Sequence, residues 1–501
     1  MKPPLAVDDD PSLDDDARRL HALGYRQELA RRLSGFSNFA LSLSIICVLA
    51  GGVTSFHLGY SATGGAAIGL GWPLACGFAV IVAAAMGQLA SAYPTAGGLY
   101  HWAAILGGPG WGWTVAWFNL AGLVTVLAAI NVGMYRFALT VWGLADHSGA
   151  TASPLLEPMY QACGLVIVTG SQAAVNHLGI GLTARLTDFS GYWILLIAGA
   201  LAVCLLVFAP SFEPARLITL ANHAGPAGGD VWPATQSLFY LFALGLLLPA
   251  YTITGFDASA HAAEETIRAD WNVPRGIVRS VVVSGVVGWI LLGTVVLAAP
   301  DPPAAAGLGE GAFLAIVHGV LPRPLAITLL GGIVMAQYLC GLATVTSASR
   351  MAYAFARDGG LPASKSMSWV CPRRKTPAVA IWIVATASVL FTLSTPVYST
   401  ITAVCTIFLY LSYVLPTALG AWTHGRTWTA CGPWNLGSWY RPLAAAAVLG
   451  CFVLILIGMQ PPNDRAAWVV LGFALVLAIA WNGGVRRRFK GPPHIALNRL
   501  A

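Results

Sequence analysis

Apolar stretches near or above the roughly 20 residues that span a bilayer recur along nearly the whole chain. The pattern predicts about twelve: 37–60, 71–91, 111–142, 157–177, 188–209, 235–262, 277–299, 325–356, 377–395, 397–421, 441–460 and 466–483. Two of them are interrupted. In one, an almost unbroken apolar run, Leu238–Tyr251, meets Thr252-Ile253-Thr254-Gly255-Phe256-Asp257, so a glycine breaks the run and a carboxylate sits two residues on. In the other, Gly51-Gly52-Val53-Thr54 interrupts Phe39–Leu58. Lipid offers no partner to freed backbone groups or to a carboxylate, so helices broken at mid-depth need protein or a water-lined cavity around them.

Composition agrees with a membrane protein. Hydrophobic residues make up 57% of the chain and charged residues 9%, against roughly 25% charged in a soluble domain. Lys and Arg set the orientation. With a cytoplasmic N-terminus, 23 of the 27 fall on cytoplasmic segments, Arg216, Arg323 and Arg465 lie outside, and Arg136 lies within the third span. That bias follows the positive-inside rule and places both termini in the cytoplasm of a multi-pass protein of the cell membrane. The net charge of +7 therefore describes topology, and no nucleic-acid partner is expected, because no basic soluble domain is visible.

The first 35 residues are polar, with Asp8–Asp10 and Asp14–Asp16 and no apolar core, and read as a solvated tail, not a signal peptide. The nine cysteines, mostly within apolar spans, show no metal-ligand spacing and read as small core residues. No G-x-x-x-x-G-K-[ST], H-E-x-x-H or G-x-S-x-G sequence occurs. Neither ATP hydrolysis by a phosphate loop nor the common hydrolase chemistries are expected, and no cofactor or metal is implied. Gly179-Ile180-Gly181-Leu182-Thr183-Ala184 imitates a dinucleotide fingerprint but follows a membrane span and lacks a βαβ setting.

One broken span in each half points to a secondary transporter's substrate site. In the first, Ala50, Gly51, Gly52, Val53 and Thr54 are the candidate binding residues; glycine tolerates unwound dihedrals, and unwinding exposes amides and carbonyls. Close helix packing would explain the same glycines. In the second, Gly255, Phe256, Asp257 and Ala258 are the candidates. Three roles are open to Asp257: binding a cationic group, carrying a proton, or capping the following half-helix. Phe256 is placed to lie over a substrate ammonium. Glu264 and Glu265 read as gate or surface partners of Arg268, Arg275 or Arg279.

The stretch Gly255-Phe256-Asp257-Ala258-Ser259-Ala260-His261, with Glu264-Glu265-Thr266 and Pro274-Arg275-Gly276, resembles the sixth-helix signature of the amino acid–polyamine–organocation superfamily, closest to its amino acid/choline transporter branch. Ala90–Tyr100, Ser349–Pro362 and Lys375-Thr376-Pro377 resemble further segments of that family in the same order, over residues 34–420 or so. The resemblance implies an all-α polytopic protein of twelve transmembrane helices, a five-plus-five inverted repeat with helices 1 and 6 broken, and alternating access around a midplane site. It also makes Thr346 and Ser347 of the eighth span candidates, with Asp257, for a coupling H+ or Na+; the fifth span lacks the lysine that replaces sodium in some relatives. The expected organisation is a tail (1–35), a ten-helix transport core (36–421), two further helices (422–485) and a basic tail (486–501). The expected function is permeation of a small amine-bearing solute, an amino acid or GABA-like compound. Choline, ethanolamine or a polyamine are the alternative substrates, and a non-transporting nutrient sensor is the alternative class.

Overall fold

The computed structural model of the chain describes residues 14–143, 157–223, 235, 237–394 and 398–493; Asp8–Asp10 and the basic tail beyond 493 lie outside them. All regular structure among the described residues is helical. A short helix, α1 (Asp15–Ala22), precedes a split element formed by α2 (Gly35–Ile46), α3 (Gly51–Thr54) and α4 (Phe56–Thr63). Then come α5 (Trp72–Ala92), α6 (Leu99–Gly107), α7 (Pro109–Val141), α8 (Glu157–Leu178) and α9 (Ile180–Phe208). A second split element comprises α10 (Leu238–Gly245), α11 (Leu247–Thr252) and α12 (Ala258–His261). It is followed by α13 (Ala269–Ala298), α14 (Pro302–Gly307), α15 (Ala312–Val320), α16 (Arg323–Arg357), α17 (Ser364–Met367), α18 (Ala378–Ser394), α19 (Tyr398–Thr423), α20 (Tyr440–Gly458) and α21 (Asp464–Ala480).

Nine helical segments among the described residues are long and apolar enough to cross a membrane. The second split element and α18 are apolar but shorter. The 22-residue α8 is long enough, yet it is less apolar because it carries Thr169, Ser171, Gln172 and Asn176. Those groups face protein. Asn131 of α7 donates to Thr169 (2.9 Å) and Gln172 (2.9 Å), and Asn176 donates to the Leu342 carbonyl of α16 (3.1 Å). Buried amides of this kind join helices where lipid supplies no hydrophobic drive.

The bundle core forms where small residues let long helices approach. α5 packs on α13, and α7 on α16 and α19. A methyl at Gly288 of α13 would overlap Trp72, whose indole donates to the Gly285 carbonyl at 2.8 Å. On the outside, Leu449, Phe452, Trp468, Leu475 and Ile479 of α20 and α21 are exposed, as a lipid-facing surface requires.

The stretch before α2 is not the solvated tail expected. From Asp14 onward it folds across one end of the bundle, here termed the N-terminal face. Asp16 accepts from the backbone amides of Arg268 (2.7 Å) and Ala269 (3.2 Å) ahead of α13, and Arg19 pairs with Asp270. Leu20, Tyr25 and Leu29 are buried there, and Leu33 pairs with Thr266 in an isolated β-bridge. A polar composition hid four apolar side chains spaced to cover a helix end. Among the cysteines, Cys163 is exposed rather than core, while Cys47, Cys76, Cys340, Cys405 and Cys451 are buried.

Candidate functional site

The two split elements cross in the middle of the bundle. The second opens where the sequence places it. Ile253–Asp257 leave the helix, with Gly255 at φ +83. A methyl there would overlap Ile45 of α2. The first opens one turn earlier than expected: Cys47–Ala50 are unwound, whereas Gly51–Thr54 form α3. The two glycines serve close approach instead. A Cβ on Gly51 would lie 3.0 Å from the Thr252 Cα, and one on Gly52 would lie 3.1 Å from Val48. Val53 is buried, and the Thr54 hydroxyl bonds back to the Ala50 carbonyl (2.8 Å). The unwound turn is braced by Gln337 of α16, which donates to the Leu49 carbonyl at 3.1 Å. Among the described residues, the amides of Val48, Leu49, Phe256 and Asp257 donate to no backbone carbonyl. Two sets of unengaged amides thus lie at the breaks, the kind of feature that receives a carboxylate.

Asp257 begins α12 but makes no capping hydrogen bond with its side chain. Its carboxylate, fully buried, faces two donors and a histidine ring nitrogen instead. Tyr413 of α19 donates to Oδ1 (2.9 Å), Asn119 of α7 donates to Oδ2 (2.8 Å), and His261 Nε2 lies 3.1 Å from the same oxygen. The capping role is therefore not used, and three of the carboxylate's roughly four lone pairs face these partners. The Tyr413 hydroxyl in turn accepts from the Gly255 amide (2.9 Å), so one side chain holds both the carboxylate and the break. Phe256 is fully buried with its ring 4.8 Å from that of Tyr413, and its carbonyl accepts from Ser42 (2.8 Å). Ala258 is buried against Leu41, Ile45 and Ala343.

Below the breaks, the N-terminal face is closed by ion pairs that differ from those expected. Glu264 is bidentate with Arg357 (2.9 and 3.0 Å), and Glu265 is bidentate with Arg350 (2.8 and 3.2 Å). Arg268, Arg275 and Arg279 are not their partners. Arg350, which the charge count assigned to the cytoplasm, lies inside α16 and is fully buried. Arg357 stacks over Tyr25 (3.8 Å), whose hydroxyl donates to Asp358 (2.7 Å); Tyr100 donates to the same carboxylate. Burial, then the adjacent Asp358 charge, raises Tyr25 well above the usual tyrosine range and keeps it a donor. On the opposite face Arg136 pairs with Glu310 at 4.0 Å, which answers the need of that arginine for a partner.

The remaining candidates lie apart from this cluster. The Thr346 hydroxyl is engaged with Asn176 of α8 (2.7 Å) and with its own helix at the Leu342 carbonyl. Ser347 is buried with no hydrogen-bond partner among the described residues. His261, Asn119 and Tyr413 were not singled out from the sequence. His261 follows Asp257 by four residues, the spacing of side chains that meet on one helix face, which was a legible signal. Asn119 and Tyr413 had none, being single polar residues in long apolar helices.

Replacing Gly255 with Ala is expected to lower stability by about 1–3 kcal/mol through overlap with Ile45, and by about 1 kcal/mol more through the left-handed backbone. Thermal unfolding of the detergent-purified variant measures this; an unchanged midpoint would show that the break is malleable.

Comparison with known proteins agrees with this geometry. A sequence model of the amino acid permease family matches residues 33–481. The chain is similar to amino-acid permease BAT1 of Arabidopsis thaliana, at 32% identity over 96% of the chain and 97% of the relative. It is similar to the BAT1 homolog of Oryza sativa subsp. japonica, at 33% identity over 95% of each. It also resembles amino-acid permease 2 of Neurospora crassa, at 28% identity over 95% of the chain and 88% of the relative. Two broken helices meeting around unengaged amides, carried on a multi-pass apolar bundle that is matched over nearly its full length, lead to one conclusion: this chain belongs to the amino acid permease family of the amino acid–polyamine–organocation superfamily, and is a membrane transporter rather than an enzyme.

Proposed function

We propose that the chain carries an amino acid by alternating access, with the substrate held between the two breaks. The unengaged amides at Val48, Leu49, Phe256 and Asp257 carry this reading. They offer the substrate carboxylate several donors in a water-poor site, while carbonyls freed by the same unwinding receive its ammonium. Ala50–Thr54 and Gly255–Ala258 form the walls, with the glycines keeping space and Phe256 providing an apolar surface.

The order of elements supports the finer architecture. Each split element is followed by a long helix, α5 or α13, then by another, α7 or α16, and the members of each pair pack together. This order is compatible with a five-plus-five inverted repeat in residues 36–421, to which α20 and α21 would add the last two of twelve spans, between a tail before 36 and a basic tail from 486. The Lys and Arg bias supports cytoplasmic termini and a cell-membrane location, even with Arg350 removed from the count.

Of the two coupling ions, H+ suits the donors better than Na+. Where α2 meets α16, the Ile45 carbonyl is taken by the Cys340 thiol (3.4 Å), and the Thr346 hydroxyl is committed to α8. A hard cation needs several open oxygens, and of these candidates only the Ser347 hydroxyl is without a partner among the described residues.

Purified protein in liposomes, preloaded and then offered labelled alanine, GABA, glutamate, arginine, choline and ethanolamine, tests the proposal. Exchange of at least one amino acid is expected. Preference for choline or ethanolamine over every amino acid would overturn it, and so would binding without exchange, which is the behaviour of a sensor.

A further inference from the structure

His261 lies between two oxygens. Its Nδ1 is 3.3 Å from the Ala96 carbonyl and its Nε2 is 3.1 Å from Asp257 Oδ2. Both partners accept, yet a neutral imidazole has one N–H. The two contacts are satisfied together only if the pair holds one further proton, either on the ring beside a carboxylate or on the carboxyl beside a neutral ring. Without it, one contact sets lone pair against lone pair.

Resting on the transport reading above, we propose that Asp257 and His261 form the proton-binding site that couples substrate movement to the closure of the N-terminal face. Three observations place the pair there. First, the carboxylate and the substrate break share a scaffold, since Tyr413 bonds both Asp257 and the Gly255 amide. Second, Ala96 connects the pair to the closure, because its carbonyl meets His261 while its amide donates to Glu264 (3.1 Å), the partner of Arg357. Third, both side chains are fully buried. Proton exchange with water therefore requires the same opening that releases substrate.

The surroundings leave the charge of the pair unmatched by other groups. From α19 comes Tyr413, from α7 Asn119, from α2 Asn38 and Ser42, which bond to Ser259, and from α13 Gly276. From α16, Arg350 and Arg357 are already matched by Glu265 and Glu264. From α6, Tyr100 bonds Asp358, and His101 lies 5.6 Å from the Tyr25 ring. In one cycle a proton enters from water on one side, binds at the Nε2–Oδ2 contact, and leaves to water on the other side; no other bond changes. Loss of that proton sets the His261 and Ala96 contacts in conflict and loosens the loop that Glu264 holds.

Proteoliposomes carrying the full chain test this with labelled alanine and GABA, both of which carry no net charge. An inward gradient of about two pH units is expected to drive accumulation toward roughly 100-fold if one proton accompanies each substrate, and substrate addition is expected to evoke an inward current. In His261→Gln the ratio of uptake with and without the gradient is expected to fall to about one. Substrate addition to wild-type protein in weakly buffered detergent solution is expected to change the pH, and to leave it unchanged in His261→Gln, a readout that does not depend on transport by the variant. Amino acid exchange that ignores the pH gradient, or follows sodium instead, would overturn the proton site while leaving the amino acid reading in place. So would a gradient response kept in His261→Gln. Absence of exchange for every amino acid would overturn the amino acid reading, and this inference with it.

Discussion

Asp257→Asn is expected to abolish gradient-driven uptake while leaving a folded, membrane-inserted protein. The side chain keeps its size, and its carbonyl oxygen can still accept from one of the three partners. Its amide group, however, then opposes Asn119 Nδ2 or the His261 N–H, so at least one buried donor loses its acceptor. That costs about 1–3 kcal/mol. Asp257→Ala removes the acceptor for Tyr413, Asn119 and His261 together, and a loss of about 3–5 kcal/mol is expected, as for other broken buried pairs. Asparagine caps helices about as well as aspartate, but that cannot rescue the variant, because the carboxylate makes no capping bond. Thermal unfolding in detergent and liposome uptake across a pH series separate the outcomes. Wild-type uptake and pH response in Asp257→Asn would remove this carboxylate from the mechanism.

The second large effect is expected at the Glu265–Arg350 pair. Both side chains are fully buried and joined by two hydrogen bonds, at 2.8 and 3.2 Å. The Glu265 carbonyl also accepts from the Arg32 and Leu33 amides, so the pair sits under the strap that crosses the N-terminal face. Arg350→Met leaves a carboxylate buried without its partner, and a loss of about 3–5 kcal/mol is expected. Adding Glu265→Leu removes the orphaned charge, and most of the loss is expected to return, because an apolar pair of similar volume is often neutral or better. Thermal midpoints of the two single variants and the double variant measure the coupling. Additive losses would show that the two charges do not depend on each other.

How much of this was readable in the chain varies by element. The bundle was readable because each spanning helix must be apolar over a fixed length, and the Lys and Arg flanks mark its ends. The break at Gly255 was readable too, since a positive φ against Ile45 admits little but glycine. The first break was misplaced by one turn. Cys47-Val48-Leu49-Ala50 carry no local signal for unwinding; the Gln337 amide from α16 and the approach of α11 hold them open. Gly51 and Gly52, which looked like the flexible point, are helical and serve contact.

The charged residues show the same division. Sequence determined that Asp257 and Arg136 need partners, because a charge at membrane depth is too costly alone, and that Glu264 and Glu265 have basic partners at a gate or surface. It could not determine which, since Arg357, Arg350 and Glu310 are distant in the chain and nearer arginines stood available. The order of the polar N-terminal residues likewise follows from the surface they cover, not from their own hydropathy. What the sequence by itself determined is therefore the class of protein, its build from many apolar helices, and the presence of a carboxylate beside a glycine break. The tertiary structure decided what that carboxylate does. Pairing energy in a low-dielectric interior depends on distance and on the full set of donors, and only packing brings Asn119, Tyr413 and His261 within reach of Asp257.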